Sequence, residues 1–153
     1  MKLTLVALGG TFDIIHAGHM ALLDKGFSIS DKVIIGLTSD ELAKKKGKKL
    51  LSDFQTRHST LESLLQEKFP NSVFEIAKLD NDFGPAAIKG DVGALVVSEE
   101  TSSKGEPLNK LRLEQNQSPV AIVVVPMILA KDGNRISTTR IRNSEIDTQG
   151  NIC

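Results

Sequence analysis

Five short apolar runs, at residues 2–8, 32–37, 73–77, 94–97 and 120–125, alternate along the chain with stretches of helical periodicity. That alternation restricts the fold to an α/β design in which parallel strands are linked by crossover helices. The runs are rich in Val, Ile and Leu and lack polar alternation, the pattern of strands covered on both faces. The expected architecture is a doubly wound, parallel, five-stranded sheet in a single domain spanning 1–153, with helices on both faces. The run at 120–125 is the most apolar and is expected to be central or near-central. Ser52 and Gln55 are spaced as a capping box for a long amphipathic helix, and Pro107 is placed to begin a later one. Residues from about 145 onward are polar and read as a loosely held tail.

Between the first strand and the first helix lies Gly9-Gly10-Thr11-Phe12-Asp13-Ile14-Ile15-His16-Ala17-Gly18-His19. In open parallel sheets such a strand-to-helix turn is where ligands bind, at the carboxyl ends of the strands. Gly9 and Gly10 carry no Cβ, so a phosphate or sugar can approach the backbone. His16 and His19 stand three apart at the helix start and share a face. The helix N-terminus favours an anion, and Gly18 removes a side chain that would block its approach. Two imidazoles and a helix N-terminus at one point suit a phosphoryl group that gains negative charge during reaction.

Far downstream, after the last strand, comes Ile136-Ser137-Thr138-Thr139-Arg140-Ile141-Arg142. Three hydroxyls ahead of a helical run supply donors for phosphate oxygens, and Arg140 adds a planar, permanently charged fork. No Gly-x-x-x-x-Gly-Lys-Ser/Thr occurs, so a triphosphate is not held by a P-loop. This disfavours γ-phosphoryl transfer and favours attack at the α-phosphorus with pyrophosphate as leaving group.

Gly-Thr-Phe-Asp joined to His-Ala-Gly-His, with Ile-Ser-Thr-Thr-Arg later in the chain, resembles the two signatures of the nucleotidylyltransferase superfamily, and so implies its Rossmann-like fold. Two further stretches, Asp80-Asn81-Asp82-Phe83-Gly84-Pro85 and Val97-Ser98-Glu99-Glu100-Thr101, resemble the phosphopantetheine adenylyltransferases of the archaeal and eukaryotic type; Phe83 stands where relatives often have Tyr. The resemblance covers residues 3–142. It implies adenylyl transfer from ATP to 4′-phosphopantetheine, giving dephospho-coenzyme A and pyrophosphate.

By that resemblance His16 and His19 contact phosphate oxygens at the reacting centre, and Thr11 helps hold the acceptor phosphate. Ser137, Thr138 and Thr139 hold the β- and γ-phosphates, while Arg140 neutralises the departing pyrophosphate. Relatives place a bridging lysine in the basic loop 44–49, for which Lys44 is the first choice and Lys46 the second. ATP is further expected to touch Gly9, Gly10, Phe12, Ser98, Glu99, Glu100 and Thr101. Asn109 and Arg112, three apart on one helix face, fit a contact to the acceptor or a surface pair equally. Mg²⁺ is expected to travel with ATP, because no dedicated carboxylate cage is evident. The alternatives are a cytidylyltransferase acting on a small phosphorylated alcohol, and a nucleotide-binding regulatory domain without catalysis.

Charge and composition exclude other classes. Lys plus Arg and Asp plus Glu number 19 each, so no net field draws the protein to nucleic acid or membrane. With no Trp or Tyr there is little aromatic surface for stacking bases. The lone cysteine, Cys153, permits neither an intrachain disulfide nor a cysteine metal site. The first apolar run is too short for a signal peptide or a membrane span, and a cytoplasmic location is expected.

Overall fold

The computed structural model describes residues 3–81, 92–99, 103, 105–126, 131–133, 141 and 146–151. In chain order these form β1 (Leu3–Gly10), α1 (Ala17–Ile29), β2 (Ser30–Thr38), α2 (Asp40–Lys45), α3 (Phe54–Lys68), β3 (Val73–Leu79), β4 (Ala94–Ser98), α4 (Gly105–Glu114) and β5 (Ala121–Val125). The strands pair in the order β3-β2-β1-β4-β5, and every pair is parallel.

Period-two alternation along β1 divides the core into two layers. Val6 and Leu8 join Leu23 of α1 and Leu61 and Leu65 of α3 on one face. Leu5 and Ala7 join Ile34 and Leu108 of α4 on the other. The sheet is thus covered on both sides, as the unbroken apolar runs require. From β1 the chain winds outward through β2 to β3, then returns to place β4 on the opposite side of β1. The carboxyl ends of β1 and β4 therefore flank the topological switch point, where a crevice opens in folds of this kind.

Three expectations are corrected. The most apolar run, now β5, lies at the edge of the sheet with β4 as its strand neighbour, and Val124 is 45% exposed. The central strand is β1. Asp53, not Ser52, caps α3, its carboxylate accepting the N–H of Thr56. The polar tail is anchored rather than loose, because Ile146 is buried against Ala17 and Ile141. Pro107 lies within the first turn of α4, where a missing N–H costs nothing. The turn at Phe83 and Pro85 lies outside the described residues, as do Glu100, Thr101, Ser137, Thr138, Thr139, Arg140 and Cys153. No described helix is long and apolar enough to cross a membrane.

Candidate active site

The end of β1 runs straight into a turn built around Phe12. This residue adopts a left-handed backbone conformation (φ 50°), which costs a non-glycine residue about 1 kcal/mol. Its ring is 1% exposed and packs 4.7 Å from that of His19. A Cβ on Gly10 would stand 3.0 Å from the Phe12 ring, and one on Gly9 3.2 Å from the Leu79 side chain. Close internal packing therefore accounts for both glycines. The Phe12 side chain is buried and packs against His19.

The two histidines cap α1. His16 has extended backbone angles (φ −132°, ψ 179°), and its Nδ1 accepts the N–H of Gly18 at 3.1 Å. His19 reaches back, its Nδ1 accepting the N–H of His16 at 3.1 Å. The pair forms a reciprocal capping box made of imidazoles, which explains their three-residue spacing. The rings stack with centroids 3.9 Å apart. Gly18 is required by this arrangement, since a Cβ there would meet Cε1 of His16 at 2.9 Å.

This geometry fixes the protonation state. Burial pushes the His16 imidazole down to about 4. His19 falls to about 3, through burial first, then the neighbouring His16 and the Lys48 ammonium. Both rings are neutral at pH 7. Because each Nδ1 accepts a backbone N–H, each ring carries its proton on Nε2. The pair therefore offers two preoriented neutral donors.

A second group of residues ties the basic loop to this turn. Lys48 donates from Nζ to Oγ1 of Thr11 at 2.9 Å. Asp13 accepts the N–H of Leu51 (2.8 Å) and of Ser52 (3.0 Å), fastening the far end of the loop. Beneath them lies Arg57 of α3, 1% exposed. Its Nη1 donates to the carbonyls of Thr11 (2.9 Å) and Thr38 (2.7 Å), its Nε to that of Ser52 (3.1 Å), and its Nη2 to the Asp40 carboxylate (2.7 Å). One guanidinium thus joins the ends of β1 and β2 to the starts of α2 and α3. Ser98 ends β4 at the same end of the sheet, and the exposed Glu99 follows it.

In the basic loop, then, the lysine that meets the site is Lys48. Lys44 occupies the last turn of α2 and Lys46 its C-cap, both exposed. Asn109 and Arg112 lie at the wrong end of the sheet for an acceptor site. Asn109 exchanges two hydrogen bonds with the backbone of Val120, which precedes β5, and the buried Arg112 donates to the Ser118 carbonyl. They hold the entry to β5, opposite the carboxyl ends where His16 and Lys48 stand.

Residues 7–144 match the cytidylyltransferase-like family model. Phosphopantetheine adenylyltransferase of Methanothermobacter thermautotrophicus is 38% identical over 99% of this chain and 90% of its own length. The protein of the same name from Pyrococcus abyssi is 39% identical over 99% of this chain and 96% of its own. The chain belongs to the phosphopantetheine adenylyltransferase family. A solved structure from Archaeoglobus fulgidus, of a protein with unknown function, is also similar, with 32% identity, a TM-score of 0.71 and coverage of 82% of this chain and 89% of that one.

In this phosphopantetheine adenylyltransferase family member, the histidines and Thr11 singled out in the sequence lie together at the end of β1, with Lys48, Asp13 and Arg57, which were not singled out. Arg57 did leave a trace. It falls four residues before Leu61 and eight before Leu65, on the buried stripe of α3. A charged residue on that stripe implies an internal partner.

Proposed function

We propose that the protein transfers the adenylyl group of ATP to the phosphate of 4′-phosphopantetheine, releasing pyrophosphate and forming dephospho-coenzyme A. The observation that carries this reading is the pair of neutral Nε2–H donors locked beside the Thr11–Lys48 contact at the switch point. Relatives that are 38–39% identical bear that activity in their name.

The acceptor needs no general base, since the second pKa of a phosphate monoester is about 6 and the group is mostly dianionic at neutral pH. Lys48 and Thr11 hold it for in-line attack on the α-phosphorus. As the P–O bond to the acceptor forms, the bond to pyrophosphate breaks and charge moves onto the phosphoryl oxygens. His16 and His19 donate to those oxygens from Nε2, and neutral donors fixed in advance need no reorganisation as the charge develops. Ser137, Thr138, Thr139 and Arg140 take the β- and γ-phosphates of the leaving group. ATP enters as its Mg²⁺ complex, and Ser98, Glu99, Glu100 and Thr101 receive the nucleoside. The substrates imply a cytoplasmic location.

The test is kcat/KM for ATP and CTP with 4′-phosphopantetheine and a panel of phosphorylated alcohols, followed by pyrophosphate release. Each polar group left unpaired by the wrong base costs about 1–3 kcal/mol, so ATP is expected to win by at least about fivefold. Equal rates with CTP, or a faster reaction with another acceptor, refute the reading.

A further inference from the structure

The segment at residues 146–151 makes contacts that the reaction scheme above does not use. It is a tight turn organised by one carboxylate. Asp147 accepts the N–H of Gln149 (2.9 Å) and of Asn151 (2.8 Å) at Oδ1, and the Asn151 side-chain amide at Oδ2 (2.9 Å). The Asp147 N–H donates to the Asn151 carbonyl, and the Gly150 N–H to the Asp147 carbonyl. Gly150 takes a left-handed conformation (φ 83°) to close it. Hydrogen bonds from Asn151 hold the Asp147 carboxyl below the usual carboxylate range, as expected for an acceptor of several N–H groups.

The turn joins two distant parts of the chain. On one side the Thr148 carbonyl accepts the N–H of Ala17 at 2.9 Å. Ala17 is the first residue of α1 and follows the His16 cap directly. Its N–H is among the four that a helix start leaves without an internal partner. On the other side the Gly150 carbonyl accepts the N–H of Lys131 at 2.9 Å. Lys131 lies between β5 and the Ser137–Arg140 stretch in sequence. Ile146, 1% exposed, plugs the turn into the fold against Ala17. Gln149 and His16 line one side of a common groove of about 930 Å³, with Met20 and Leu64.

We infer that residues 146–151 form a clip that sets the position of the His16 ring by holding the first turn of α1, with Asp147 as the positioning residue that shapes it. This rests on the reading of His16 as a donor to the reacting phosphoryl group. The clip occupies Ala17's N–H from outside the helix and so holds the first turn on which the capping box is built. By spanning to Lys131, it ties that turn to the segment leading toward the second phosphate motif. Removal of the clip lets α1 start fray, and the His16 donor loses its aim while the sheet stays intact.

The experiment combines kinetics with amide exchange on the full chain. Asp147→Ala is expected to lower kcat roughly ten- to hundredfold, the scale of a misaligned reacting group, with KM for ATP changed less than about threefold. Asp147→Asn, which keeps the acceptor for the two backbone N–H groups, should recover most of the rate. In a His16→Ala background Asp147→Ala should cost less than about twofold, because the ring it positions is gone. The Ala17 amide should exchange at least about tenfold faster in Asp147→Ala while amides in the middle of α1 do not change. Gly150→Ala, which strains the turn without removing any carboxylate, should reproduce the Ala17 effect and serves if Asp147→Ala does not fold. Full rate in Asp147→Ala, an equal cost in both backgrounds, or an unchanged Ala17 amide in the folded variant overturns the clip. If instead His16→Ala alone keeps its rate, the catalytic reading of the histidine fails, and the amide measurement still decides whether the clip holds α1.

Discussion

The depressed imidazoles make the fold acid-sensitive in a calculable way. His16 and His19 have folded pKa values of about 4 and about 3, against 6.5 in an unfolded chain. As pH falls through 6.5 the unfolded state takes up protons that the folded state refuses, so stability declines. The loss begins near pH 6.5 and runs on until the folded rings themselves protonate, near pH 4 for His16 and near pH 3 for His19. Between pH 7 and pH 5 a fully excluded histidine forfeits about 2 kcal/mol by this linkage. His19, the ring more withdrawn from solvent, comes closest to that figure; His16 keeps more water contact, and screening reduces its share to about 1 kcal/mol. The sum, about 3 kcal/mol, is a large part of the 5–15 kcal/mol typical of a domain. Urea unfolding at the two pH values, in wild type and in the double variant His16→Gln/His19→Gln, isolates the effect, since every carboxylate is common to both. The wild type is expected to lose about 3 kcal/mol more than the variant. An equal loss in both proteins, or ring resonances of His16 and His19 titrating near 6.5 in the ligand-free protein, refutes the burial argument.

Other expectations follow from single contacts. Lys48→Ala should lower kcat/KM by about 10²–10³, as loss of one preorganised donor does, whereas Lys44→Ala should stay within about twofold. Gly18→Ala should leave the melting temperature almost unchanged, since alanine's helix preference of about 1 kcal/mol offsets the loss of the His16 cap, yet reduce kcat because the new Cβ displaces the His16 ring. Arg57→Met leaves the Asp40 carboxylate and three backbone carbonyls short of a donor, and should destabilise the protein by about 3–5 kcal/mol in chemical denaturation.

Much of this was legible in the residues, and the failures have physical causes. Strand positions followed from apolar runs bounded by glycine and turn residues, and the start of α1 near Ala17 from the helical spacing of Met20, Leu23 and Phe27. The edge placement of β5 was not legible, because an apolar run records burial in general and not which strand lies beside it. The lysine that contacts Thr11 was not legible for a related reason. Lys44, Lys46 and Lys48 are chemically equivalent in a string, and the one that meets Thr11 is selected by Asp13, which fastens Leu51 and Ser52 from far along the chain. Asn109 and Arg112 share a helix face as expected, but that face looks toward the start of β5. The anchored tail was hidden by its polarity, since Asp147 spends its carboxylate on the turn's own N–H groups.

The central place of β1 has a consequence for how the protein is made. β1 precedes every other strand, and Val6 must wait for Ala94 before its second edge is paired. A nascent chain can zip β1 to β2 early, because Leu3 meets Ser30, but the other edge of β1 stays open until β4 has emerged. An open apolar edge is a template for pairing with another chain, and non-local parallel pairing is slow. Synthesis arrested between β3 and β4 should therefore yield a species prone to aggregate, one that already carries Thr11, His16 and Lys48 but has no closed crevice to hold them in.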